Sequence, residues 1–200
     1  MRRVFIAAAL LTAALALPLH AGGANPVTLK VNDEFGIKKS NILCVVQISK
    51  SLVPGRKLVV CFIVPKDPTK GPVPKSYAVG LAVNGEAVLG KVGANGQVEV
   101  VKKLGGKAGA PDGPVSRTGT LYKVGVGAEL GVKNSAIRCG VTKQSFGGKK
   151  AKTVGCFKVG GNGKPRPNSY GIGITDAGAF LVHFDADSKG SPVKVVQHGK

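Results

Sequence analysis

After an apolar opening stretch, hydrophobic residues come in short runs rich in Val and Ile, and each run stops near Gly, Pro or Asn. Such runs predict strands over 27–31, 41–48, 57–64, 76–83, 87–92 and 98–103. The same rule predicts strands over 122–126, 136–142, 152–159, 169–174, 179–184 and 193–197. Past the opening stretch no segment sustains a 3.6-residue period, and Gly, 30 of 200 residues, weakens any helix. The expectation is therefore an all-β protein of short antiparallel sheets, curled into small sandwiches or open barrels. The opening stretch differs in kind. Met1-Arg2-Arg3 precedes an apolar run from Val4 to Leu19 that ends at Leu19-His20-Ala21, which predicts a secretory signal peptide over 1–21. The run falls short of the roughly 20 residues that span a bilayer, which argues against the alternative of a retained anchor. The expected destination is the periplasm or the exterior, with no transmembrane segment in the mature chain.

Laid over itself, the chain repeats. Phe35-Gly-Ile-Lys-Lys-Ser-Asn-Ile-Leu-Cys44 matches Leu130-Gly-Val-Lys-Asn-Ser-Ala-Ile-Arg-Cys139 without a gap, and Cys61-Phe62 matches Cys156-Phe157 at the same offset. After a two-residue deletion, Pro72-Val-Pro-Lys-Ser-Tyr77 falls on Pro165-Arg-Pro-Asn-Ser-Tyr170. Ordered matches with equal cysteine spacing read as an internal duplication. The predicted division is a first β repeat over 22–104, a Gly/Pro-rich linker over 105–119 and a second β repeat over 120–200. Whether the repeats stand apart or share a sheet is open at this level.

The cysteines number four, and the duplication favours pairing within each repeat, Cys44 with Cys61 and Cys139 with Cys156. Export permits the bonds, and a repeat of this size has a core small enough to need a staple. Zinc ribbons and redox pairs use closely spaced cysteines, and the chain has no Cys-x-x-Cys. No metal or cofactor is expected.

Charge narrows the choice of partner. Lys and Arg total 29 against 10 acidic residues; loss of Arg2 and Arg3 with the signal leaves 27 against 10, a net +17. Only Arg56, Arg117, Arg138 and Arg166 of those cations are arginine, so the excess is a diffuse field rather than a set of planar forks for reading bases. Trp is absent and aromatics make up 5%, so the stacking platforms of nucleic-acid binders are missing. Two basic stretches sit inside the cysteine loops: Lys50, Arg56 and Lys57 in the first, and Lys143, Lys149, Lys150 and Lys152 in the second. Lys164 and Arg166 flank the second Pro-x-Pro segment, where Lys70 and Lys75 flank the first. If the loops share one end of the fold, they form a positive rim for an anionic polymer; otherwise they are ordinary solvated loops.

No catalytic constellation stands out in the sequence. His183 is the one histidine on a predicted strand, with Asp185 and Asp187 close in sequence, and a general base needs an orienting partner within hydrogen-bond reach. The chain has no Gly-x-Ser-x-Gly elbow and no free thiol under the expected pairing. Asp185-Ala-Asp187-Ser-Lys189-Gly190 imitates half a calcium loop, but Lys189 occupies a ligand position. Asp33 and Glu34 point to opposite faces of an extended chain, and the second repeat has Ala128 in place of Asp33.

Each repeat resembles a family of secreted bacterial domains of unknown function that carry an aromatic residue, then Ser-Gly-Asn-Ile-x-Cys, then a second Cys on a following strand. The residues that carry the resemblance are Phe35, Ser40-Asn41-Ile42-Leu43-Cys44 and Cys61. The Gly between Ser and Asn is absent, and the second repeat has Leu130 for Phe and Ala136 for Asn. The resemblance implies export and a disulfide-stapled β fold, and implies no activity. The functional expectation is an exported, non-catalytic binding protein for anionic polymers such as cell-wall polymer, lipopolysaccharide or acidic polysaccharide. The alternatives are a protein–protein module, for example an inhibitor of an external hydrolase, and a hydrolase built on His183 and Asp185.

Overall fold

The computed structural model describes residues 26–50, 54–66, 71–106, 119–146, 149–186 and 194–199, with the side chains of 145–149 and 194–199 outside the description. The predicted signal peptide and most of the predicted linker lie outside the described residues, as do Lys70 and residues 187–190 of the calcium-like segment, Asp187 among them. Fourteen strands are described, and no helix: β1 (Val27–Leu29), β2 (Glu34–Ile37), β3 (Ile42–Ile48), β4 (Lys57–Ile63), β5 (Tyr77–Ala82), β6 (Ala87–Val92) and β7 (Val98–Leu104) in the first half. The second half supplies β8 (Leu121–Val124), β9 (Glu129–Val132), β10 (Ile137–Phe146), β11 (Lys149–Lys158), β12 (Ser169–Thr175), β13 (Gly178–Phe184) and β14 (Lys194–Gly199). All twelve predicted strands are present, and β2 and β9 are additional.

The strands form two seven-stranded sheets in the orders β7-β6-β5-β4-β3-β2-β8 and β1-β9-β10-β11-β12-β13-β14. Each sheet is six antiparallel strands from one half plus one parallel strand from the other. β1 lies beside β9 with Val27 opposite Leu130, and β8 lies beside β2 with Phe35 opposite Tyr122. The halves thus exchange their first strands.

A tight turn after each exchanged strand carries the chain from one sheet to the other. In the first, Asp33 N donates to Lys30 O and Asn32 has φ 73°; in the second, Ala128 N donates to Gly125 O and Gly127 has φ 90°. Asn and Gly are the residues that adopt this left-handed conformation most readily. Both turns are anchored the same way, Asn32 N to Val46 O and Gly127 N to Val141 O. The equivalent positions in the two halves therefore match in backbone even where their residues differ.

The exchange is held by a side chain too. Asp33 is buried, and its carboxylate accepts from Lys30 N (2.8 Å) on its own turn and from Thr120 N (3.2 Å) at the start of the incoming strand. Asp33→Ala leaves both amides without their acceptor and is expected to cost about 2 kcal/mol, with a smaller loss for Asp33→Asn. Urea denaturation of the two variants checks this.

The sheets face each other, with β12 and β13 over β5 and β6. Alternate residues of both form a single core that includes Phe35, Ile42, Val59, Leu81 and Leu89 from one half and Leu130, Ile137, Val154, Ile172 and Leu181 from the other. Leu29 of exchanged β1 is fully buried in it. The disulfides are Cys44–Cys61 and Cys139–Cys156, one per half, each joining directly opposed residues of a hairpin. All four half-cystines lie in this shared core.

The runs on β3 and β4 are continuously apolar because both faces are covered. On the far side of the first sheet, Leu43, Val45, Leu58, Val60 and Phe62 meet Val98 and Val100 of β7, which a bulge between Leu89 and Gly90 turns inward. The second sheet has a smaller aromatic cluster there, Phe157, Phe180 and Phe184 with Val182.

Candidate functional site

The relative direction of the sheets decides where the basic residues gather. Lys57 Nζ, at the β3–β4 tip, donates to Lys133 O in the β9–β10 turn of the other half (2.9 Å). Its equivalent, Lys152 Nζ, donates to Lys38 O (2.5 Å) and Lys39 O (3.0 Å) in the β2–β3 turn. The β12–β13 turn confirms the direction, since Asp176 Oδ1 accepts from Ser40 Oγ (2.8 Å) and Asn41 N (3.1 Å). Each hairpin tip thus meets the turn end of the opposite sheet. The two cysteine-loop tips lie at opposite ends of the sandwich, so the single shared rim does not form.

What forms instead is a pole at each end, built from both halves. The first pole gathers Lys50, Arg56 and Lys57 from the first half with Lys133, Lys164 and Arg166 from the second; all but half-buried Lys57 are exposed. The second pole gathers exposed Lys143 and Lys150 and half-buried Lys152 with exposed Lys38, Lys39 and Lys75 of the first half. Lys149 begins β11 at this pole, opposite Phe146, and its side chain is outside the description. The basic stretch around residue 150 is not a loop: Lys143 pairs with Lys152 and Ser145 with Lys150 on an extended ribbon.

Near the first pole Lys158 is half-buried, and burial, then the charge of Arg166, lowers its ammonium from the ordinary lysine value. Lys38, Lys39 and Lys133 stood in the repeated motif yet were not read as part of a basic site. The reciprocity Lys57–Lys133 and Lys152–Lys38, one offset apart, was the trace they left in the sequence.

The first pole also holds the histidine cluster. His183 Nδ1 lies 2.6 Å from Asp185 Oδ1, and the Tyr170 and His183 rings meet at a tilt of 37° with centroids 5.1 Å apart. Asp185 therefore does face His183, as an orienting carboxylate would. Across the seam Gly105 separates Tyr170 from Glu86, which is ion-paired with Lys103 at 3.6 Å. Tyr77 and Tyr170 both pack partly buried against the shared core. Asp33 serves the strand exchange, and Glu34 beside it is buried at the same junction. Among the described residues no group of three His, Cys, Asp or Glu side chains is placed to hold a metal ion, and no helix is long and apolar enough to cross a membrane. No protein-family model, curated protein or solved structure gives a significant match to this chain.

Proposed function

We propose that the protein is exported and binds anionic polymers of the envelope or extracellular space without catalysing their conversion. The carrying observation is the composition of the poles, where the facing of the two sheets brings exposed cations of both halves together. Several carboxylates nearby are already engaged: Asp185 by His183, Glu86 by Lys103 and Asp176 by the Ser40 turn. A lysine-rich surface of this kind offers point charges on flexible stems, which suits a repeating sulfate, phosphate or carboxylate polymer better than one planar ligand.

Retention on heparin tests the reading. Late elution that moves to earlier volume as salt rises is expected, because exposed charges are screened. Flow-through at low salt would overturn it and favour a protein partner.

A further inference from the structure

We infer that the protein bridges two anionic chains rather than gripping one chain twice; the inference rests on the polyanion reading. The poles face away from each other, separated by the length of seven-residue strands such as β3 and β4, roughly 23 Å at about 3.3 Å per residue. A polymer seated on one pole runs crosswise to the strands, over tips and turns. To reach the other pole it must turn sharply, follow the strands, and turn again within that distance. A second chain meets the far pole with no such bend.

The equivalence of the poles strengthens the point. Each contains one hairpin tip, one Lys-bearing tight turn and one Pro-x-Pro connection, and each tip lysine is fastened to the opposite turn. Both poles therefore offer the same kind of lysine-bearing surface. Every pole needs residues of both halves, and the packing of one sheet over the other brings them to opposite ends of the molecule.

The test uses short and long heparin with the intact protein. Wild type is expected to bind two short fragments per molecule, and long chains are expected to raise light scattering at intermediate ratios and lose it in polymer excess. The triple variant Arg56→Ser, Lys164→Ser, Arg166→Ser alters only exposed side chains of the first pole. It is expected to bind one fragment and to scatter no more than protein alone. The second-pole variant Lys75→Ser, Lys143→Ser, Lys150→Ser should behave alike. Circular dichroism identical to wild type shows that neither change unfolds the protein. One fragment per wild-type molecule, two fragments without scattering on long chains, or scattering that persists in both variants would overturn bridging while leaving polymer binding intact. No binding by wild type at low salt would remove the polyanion reading itself.

Discussion

Replacement of all four cysteines by alanine is expected to leave the protein largely unfolded at ambient temperature. Each pair closes a loop of sequence separation 17, for which the loss of chain entropy in the unfolded state corresponds to about 3 kcal/mol. Two such losses approach the whole stability of an ordinary domain, roughly 5–15 kcal/mol. Their position makes matters worse. The half-cystines are at most 1% exposed and lie among core residues of both halves, so deleting their sulfurs also loosens the packing between sheets. A single pair, Cys44→Ala with Cys61→Ala, should cost about 3 kcal/mol and lower the guanidinium midpoint of the entire molecule. Reductant added to native protein should act slowly, because the buried bonds must first become accessible. A quadruple variant with the wild-type midpoint would contradict the staple argument.

The other large effect is expected at Gly90. A Cβ there would meet Val98 Cγ1 at 2.2 Å and the backbone oxygen of Glu99 at 2.8 Å. Gly90 sits at the bulge that turns β7 over the far side of the first sheet, where Val98 seals the second cluster. Val98 is β-branched and stiff, and the Glu99 carbonyl belongs to the paired backbone, so neither can yield cheaply. Gly90→Ala should destabilise by about 3 kcal/mol, the upper part of the range for overpacking, and Gly90→Val by more. Gly140→Ala is the control. It places a Cβ in open space on β10 and should be neutral or slightly stabilising. Thermal melts of the two alanine variants compare the sites directly, and equal midpoints would contradict the packing described for β7.

Much of the fold was legible because its physics is local. Val- and Ile-rich runs bounded by Gly, Pro and Asn marked all twelve predicted strands, and equal cysteine spacing marked two hairpins joined by direct cross-strand bonds. β2 and β9 escaped for a physical reason. Glu34–Ile37 and Glu129–Val132 are only four residues long with a central glycine, and the strands that cover their outer edges come from the other half. No local pattern announces a partner that lies in the other half of the chain. The exchange was invisible for the same cause, although Asn32 and Gly127, the turn formers that make it, stood at equivalent positions. The basic residues were found, but their grouping was not. Which tips share an end depends on the relative direction of the two sheets, a property of the core and not of any loop. His183 and Asp185 were identified as neighbours in sequence, and their contact became visible only with the end of β13 in place.

The two halves are one body because each lends its first strand to the other. Cross-strand nuclear Overhauser contacts test this exchange most directly. Backbone contacts are expected to link Val27, Thr28 and Leu29 to Leu130, Gly131 and Val132, and a matching set to link Glu34–Ile37 to Leu121–Val124. Contacts placing Val27–Leu29 beside β2 of its own half would rule the exchange out.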